Sequence, residues 1–552
     1  MTFDPWPAKW LVGICLISMA GCGNFQAQRA DPVAAVRVFQ NPILPGFHPD
    51  PSICRVGEDY FIVNSSFEYF PGVPIFHSKD LTHWEQIGNV LDRPSQLNLD
   101  GVKPSGGIYA ATIRYHDGTF YVITTLNGRG DFIVTARDPA GPWSEPHFLK
   151  DAPGIDPSIF FDDDGSAWVA GNKHFDNAPP QNKQREIWLR QLDLATLQLT
   201  GPQYILQDAP AVRDAVNAEG PHLYKIRGEY YLMIAEGGTG IDHAVTISKS
   251  SSRFGPWVFD PKNPILTHRN LGREYPIQCT GHADLVETQN GQWWMVLLGT
   301  RPYGGGFDYN LGRETFLVPV IWQDGFPIVC PGDGKVEFVE TSPDLPDHPF
   351  RAAPSRDDFS ESKLAPWWNF LRTPREQFYS LSARPGWLRL ALRPEQCTEL
   401  VSPSWIGRRQ EHIDFSATAR LEFTPHAENE SAGLTAFYNN DFHYRFIKTI
   451  ADGEVVLQLI QRKAGKETIL AQRGIAAGSL DLRISAVGQS YDFAFRTSGS
   501  DWQTLLADAD GRILNRTAGG GFTGAYLAMY ATSAGKASEN YADFCGFEYE
   551  GR

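Results

Sequence analysis

The chain has 552 residues, a formal net charge of −15, 42% hydrophobic residues and 20% charged residues. That length allows more than one core, and the negative balance disfavours nucleic acid or an anionic membrane as partner while leaving neutral sugars open. Glycine (52) and proline (39) are frequent and long 3.6-period apolar stretches are scarce, which argues against a mainly helical protein and for many short strands joined by tight turns.

The first segment reads as a leader. Lys9 precedes an apolar run from Trp10 to Ala20, too short to span a bilayer and of signal-peptide proportions. Met19-Ala20-Gly21-Cys22 resembles a bacterial lipobox, with Cys22 as the lipidated first mature residue. Residues 1–22 are therefore expected to be a lipoprotein-type signal and 23–36 a tether. The expected location is that of an exported bacterial protein, periplasmic or membrane-anchored, touching the membrane only through Cys22. A cleaved secretory signal is the plainer alternative.

Five similar phrases follow. They open at Asp50, Tyr109, Asp156, Glu219 and His282, each with an apolar run, a polar turn containing glycine, and an aromatic-rich run. Each reads as a β-hairpin. Their spacing of about 45–65 residues is the period of a four-stranded propeller blade. A second phrase recurs as His77–Trp84, Ala136–Trp143 and Ser248–Trp257, with a degenerate form from Gln191. It reads as the outer-hairpin turn, its tryptophan packing between blades. Val318 to Val329 is expected to complete the last blade.

These readings give an all-β protein: a five-bladed β-propeller over 37–342, a proline-rich linker over 343–356, and a β-sandwich over 357–552. Four prolines between Thr341 and Pro354 mark the linker. Alternating apolar stretches from Trp387, Ala417, Val455 and Leu480 mark the sandwich strands. Cys54, Cys279, Cys330, Cys397 and Cys545 are scattered and lack CxxC spacing, so they read mostly as buried apolar residues, with no disulfide framework and no metal centre.

A propeller brings equivalent residues to one axis, so Asp50, Asp156, Glu219 and His282 should meet there. Glycoside hydrolysis needs an acid on the leaving oxygen and a base or nucleophile on the opposite face of the sugar. Crowded carboxylates push their pKa values apart, so one can stay protonated near neutrality. The longer Glu219 suits the acid, Asp50 the base, and Asp156 a role tuning Glu219. On spacing alone, Asp-Pro-Ser at 50–52 and 156–158 is equally well a turn that starts a strand.

Further motifs narrow the choice. Asn41-Pro-Ile-Leu-Pro-Gly-Phe-His-Pro-Asp50-Pro-Ser, Ser66-Phe-Glu-Tyr-Phe-Pro-Gly-Val-Pro-Ile75, Gly154-Ile-Asp156-Pro-Ser, Ala218-Glu219-Gly-Pro-His, Gly281-His282-Ala-Asp and Leu311-Gly-Arg313-Glu-Thr resemble glycoside hydrolase family 43, in that family's order. The C-terminal region, with Gly519-Gly-Gly-Phe522-Thr-Gly, is similar to the concanavalin-like sandwich of the family's β-xylosidases.

The resemblance implies hydrolysis with inversion, Asp50 as general base, Glu219 as general acid and Asp156 as pKa modulator. It places Phe67, Tyr109, His282, Arg313 and Phe522 around the sugar. Phe67 would be an aromatic wall, Arg313 a hydrogen-bond donor to sugar hydroxyls, and Phe522 a loop residue inserted from the sandwich. Adjacent Glu314 is the alternative partner of Arg313, and an ordinary sandwich-core position is the alternative for Phe522. His282 matches an axial histidine that can hold water or Ca²⁺, with no cofactor required. Gly106-Gly-Ile-Tyr109-Ala-Ala departs from the family's Trp-Ala-Pro, leaving xylose against arabinose open.

The expected activity is exo-acting release of xylose from β-1,4-xylo-oligosaccharides, and of arabinose as a further product. An α-L-arabinofuranosidase acting on arabinoxylan or arabinan is the alternative, and a non-catalytic sugar-binding lipoprotein the remote one. A homo-oligomer is compatible with the sequence.

Overall fold

The structure is a computed structural model that describes residues 36–175, 183–211, 216–304, 307–351, 353–476 and 478–552. The expected leader with Cys22, and the tether up to residue 35, lie outside the described residues. Val38–Arg552 form one compact unit.

Five antiparallel sheets of four strands each make the propeller. Blade 1 is Ser52–Val56, Asp59–Val63, Gly72–Ser78 and Glu85–Leu91. Blade 2 is Ile108–His116, Thr119–Leu126, Gly130–Ala136 and His147–Phe148. Blade 3 is Ile155–Phe161, Ala167–His174, Arg185–Asp193 and Gln198–Gln207. Blade 4 is Glu219–Ile226, Glu229–Glu236, Ala244–Ser250 and Val258–Phe259. Blade 5 is Gln278–Glu287, Trp293–Thr300, Glu314–Gln323 and Phe326–Val329. The first strands of neighbouring blades touch in a closed ring.

Apolar side chains from facing blades fill the gaps between them. Ile53 and Ile62 of blade 1 meet Val286 and Trp294 of blade 5, with Trp84 packed on them. Phe160 and Trp168 of blade 3 meet Leu223 and Tyr230 of blade 4, with Trp257 alongside. Those two tryptophans sit as the second sequence phrase predicts. Blade 3 has a longer outer hairpin instead of a proline turn, which explains its degenerate phrase.

Two features were not foreseen. Val38–Gln40 pairs antiparallel with Val339–Thr341, so the start of the propeller is tied to the segment after its last blade. The short strand Tyr69–Phe70, between the second and third strands of blade 1, leaves that blade and pairs with Asn369–Leu371. It becomes the edge of an eight-stranded sandwich sheet that includes Ser431–Asn439 and Tyr526–Thr532; a second eight-stranded sheet packs as its partner. One apolar core runs from Val73 and Ile113 of the propeller to Phe370, Leu482 and Leu527 of the sandwich.

The proline-rich stretch lies against blade 1. The His348 amide donates to Asp80 at 2.7 Å, and the Phe350 ring meets His77. Cys54, Cys279, Cys330 and Cys397 are buried and unpaired, and Cys545 is half-buried and unpaired.

Candidate active site

The innermost strands carry the candidate residues because of how they begin. In blades 2 to 5 the pairing register slips at the start of the first strand, at Ile108/Ala111, Ile155/Ser158, Glu219/His222 and Gln278/Gly281. Such bulges re-aim a side chain. Asp50, Asp156 and His282 take left-handed backbone angles with φ of 52°, 54° and 47°. For non-glycine residues such angles cost about 1–3 kcal/mol each and gather at functional sites. At Gly220 (φ 57°) a Cβ would meet the His282 ring at 2.9 Å, so only glycine lets that ring approach.

The residues behind these openers form a belt. Ser52 Oγ donates to Asp284 Oδ2 at 2.7 Å and accepts from the Ile113 amide at 3.2 Å. Thr112 Oγ1 donates to the Pro157 carbonyl at 3.0 Å, and Ser158 Oγ to the Pro221 carbonyl at 2.5 Å. Tyr224 donates to Asp284 Oδ1 at 2.6 Å. These bonds pass through all five blades and return to the first. Arg114 pairs with Asp284 at 2.8 Å, behind the site. The serine of each Asp-Pro-Ser is therefore structural, and the aspartate before it faces the axis.

Asp50 is buried, and each of its oxygens is bonded. Arg313 Nη1 donates to Oδ1 at 2.6 Å and Ser65 Oγ donates to Oδ2 at 2.5 Å. His282 Nδ1 lies 3.8 Å from Oδ1. Burial pushes this carboxyl up, but Arg313, His282 and Ser65 outweigh it and hold Asp50 below its usual range. Arg313 thus pairs with Asp50, whereas Glu314 pairs with Arg301 at 2.6 Å and accepts from the Gly46 amide at 2.7 Å.

Asp156 and Glu219 behave oppositely. Burial raises Asp156 well above the ordinary carboxylate range, and the neighbouring Glu219 and Asp50 charges add to it. Burial also raises Glu219; Arg185, with Nη1 at 3.5 Å from Glu219 Oε2, opposes that rise. The site therefore holds one carboxylate kept ionised and a coupled pair inclined to keep a proton.

The aromatic residues assemble beside this group. The Phe67 ring lies 5.5 Å from Tyr109, 6.1 Å from Phe522 and 5.8 Å from Phe47. The Arg313 guanidinium lies 5.6 Å from the Phe67 ring and 5.7 Å from that of Phe522. Phe522 is 36% exposed, so it is a surface-reaching residue and not part of the sandwich core. Its amide donates to Ser105 Oγ at 2.8 Å, on the propeller. The Tyr109 hydroxyl accepts from Asn127 Nδ2 at 2.5 Å, a bond that tryptophan there could not accept.

Ca²⁺ takes six to eight oxygens, waters among them; among the described residues, His282 would offer it a nitrogen, and the nearby Asp50 oxygens are engaged by Arg313 and Ser65. Among the described residues, Asp80, His83 and Asp347 bring donor atoms close enough for a metal, with Asp80 and His83 in the outer-hairpin turn of blade 1 between Gly72–Ser78 and Glu85–Leu91. Asp80 there already accepts from the His83 amide and ring and from the His348 amide.

Sequence reasoning missed Ser65, Arg185 and Phe47. Ser65 follows the second strand of blade 1 and Arg185 opens a third strand, outside the hairpin openers that the repeat makes visible.

The chain matches known proteins over nearly all of its length. Residues 39–327 match glycosyl hydrolases family 43, and residues 356–550 match the β-xylosidase C-terminal concanavalin A-like domain. It is 44% identical to a xylosidase/arabinosidase of Butyrivibrio fibrisolvens, over 93% of this chain and 99% of that protein. It is 42% identical to a non-reducing end α-L-arabinofuranosidase of Bacteroides ovatus, over 93% and 95%. The crystal structure of a xylan β-1,4-xylosidase from Bacillus halodurans superposes with a TM-score of 0.86 at 37% identity, covering 93% of this chain and all of that one. With its carboxylates on the axis of five blades and a sandwich loop beside them, the chain belongs to glycosyl hydrolase family 43.

Proposed function

We propose that the protein is an exo-acting, inverting glycosidase that releases xylose from the non-reducing end of β-1,4-xylo-oligosaccharides. Asp50 is the general base that draws a proton from water. Glu219 is the general acid that protonates the leaving oxygen, and Asp156 holds Glu219 in its protonated state. The observation that carries this reading is the unlike surroundings of the carboxyls: Arg313 and Ser65 contact the Asp50 oxygens at 2.6 and 2.5 Å and help to keep its pKa below the usual range, whereas burial raises Glu219 and Asp156. Direct attack of water needs the base and acid carboxyls about 6.5–9.5 Å apart.

Phe67, Tyr109 and Phe522 supply apolar ring faces for the C–H surface of a pentose. Arg313, 5.6 Å from the Phe67 ring, carries donors suited to its hydroxyls. The sandwich loop, fixed by Phe522 on Ser105, closes one side of the pocket and favours cleavage at a chain end.

A second reading, release of α-L-arabinofuranose from arabinoxylan or arabinan, has its own support. Relatives at 44% and 42% identity carry arabinosidase or arabinofuranosidase in their names, and Tyr109 adds a hydroxyl to the pocket. The leader pattern ending at Cys22 supports export and a lipid anchor, which labelling with a radioactive fatty acid, with and without Cys22→Ser, tests directly.

Initial rates on p-nitrophenyl β-D-xylopyranoside and p-nitrophenyl α-L-arabinofuranoside, side by side with Glu219→Gln, test the main reading. Preference for the xyloside supports it, with turnover of xylobiose, whose leaving sugar needs a proton, lost at least a hundredfold in Glu219→Gln. Preference for the arabinoside moves the assignment to the second reading. Xylobiose turnover unchanged in the variant removes Glu219 as the acid.

A further inference from the structure

Three carboxylates, Asp50, Asp156 and Glu219, share the axis with two guanidiniums. Arg313 is committed to Asp50 at 2.6 Å. The other is Arg185, which no sequence motif marks. Its Nη1 lies 3.5 Å from Glu219 Oε2 and donates to Asn172 Oδ1 at 2.8 Å. Asn172 is fully buried, and its Nδ2 donates to the Ile155 carbonyl at 2.8 Å, one residue before Asp156. Gly154 makes this close approach possible, because a Cβ there would lie 1.5 Å from the Asn172 carbonyl oxygen. Asn172 therefore ties Arg185 to the bulge that presents Asp156.

We propose that Arg185 is the positioning residue for proton donation: it supplies the second cation that sets the Asp156–Glu219 pair at one shared proton, and it fixes the Glu219 carboxyl in place. The proposal rests on the reading of Glu219 as general acid. Three negative sites against two cations are neutral when one carboxyl is protonated. Without Arg185 the same neutrality needs two protons, and Glu219 would keep its own to higher pH.

The other groups facing Glu219 do not replace Arg185. Asp50 and Asp156 are negative, Arg313 is engaged by Asp50, and the His282 ring beside Gly220 lies 3.8 Å from Asp50 Oδ1, its pKa lowered mainly by burial. Lys173, which neighbours Asn172, is paired with Glu186 at 2.9 Å. An opposite charge this close moves a carboxyl by about one to three pKa units, with Arg185 acting downward on both Glu219 and Asp156.

The test is the pH profile of kcat on a phenyl glycoside, whose departure needs a proton. In Arg185→Met the alkaline limb moves up by about one pH unit or more, and Arg185→Lys restores it most of the way. On a dinitrophenyl glycoside, whose leaving group departs unprotonated, the alkaline limb flattens in wild type and variant alike. A folded Arg185→Met that loses activity equally at every pH, with its alkaline limb unmoved, overturns the proposal. Should that variant fail to fold, Asn172→Ala carries the test: it keeps the charge but unties it, and is expected to move the same limb in the same direction. Glu219→Gln run in parallel separates the two failures, because undiminished turnover of the phenyl glycoside there defeats the general-acid reading itself.

Discussion

Asp50 shows how one residue's surroundings decide its chemistry. Burial alone would raise its pKa, yet the Arg313 guanidinium, with His282 and the Ser65 hydroxyl, outweighs that and holds it below its usual range. A base must be ionised, so activity is lost as pH falls through the Asp50 pKa. Arg313→Met removes the main stabiliser and raises that pKa, so the acidic limb of kcat/KM is expected to move up by about one unit or more. A profile that falls in height with its acidic limb in place would assign Arg313 to sugar binding alone.

Asp50, Asp156, Glu219 and His282 were legible in the sequence because each lies just before or in the first half of an innermost strand and the repeat sends those segments to the axis. Arg185, Asn172 and Ser65 lie off the openings, where no periodicity ties one blade to the next, so only the folded chain brings them together.

At the scale of elements, closure of the ring matters most. Val38–Gln40 is three residues long, too short to carry a strand signal of its own, yet its pairing with Val339–Thr341 joins the two ends of the propeller chain. Asn41 reinforces it: its side chain donates to the Leu317 carbonyl at 2.8 Å and accepts from the Leu317 amide at 2.9 Å. Phe39 is buried against Trp294, with ring centroids 6.2 Å apart. Phe39→Ala is expected to cost about 3–5 kcal/mol, the range for truncating a buried phenylalanine, measured by denaturant unfolding. A loss below about 1 kcal/mol would mean that the blades hold together without this tie.

The blade hairpins were readable from turns and alternation. Tyr69–Phe70 was not, because two residues carry no alternation, and their partner strand lies 300 residues away in sequence.

Taken as a whole, the molecule does not divide where its sequence changes character. The propeller lends a strand to the sandwich, the sandwich sets Phe522 beside Arg313, and one apolar core continues from one to the other. Unfolding is therefore expected to occur in a single calorimetric transition, with calorimetric and van't Hoff enthalpies in agreement. Two resolved transitions would show that the shared strand and core do not couple the halves.

The ring of bonds through Ser52, Thr112, Ser158, Tyr224 and Asp284 acts as a hoop on a barrel. A hoop fixes circumference: a blade pushed outward by a bulkier sugar pulls on every other blade, so the floor of the pocket resists widening. Redesign toward a different monosaccharide belongs at the unhooped rim, where Tyr109 and Phe522 sit on separate segments, and not among the small hydroxyl residues beneath.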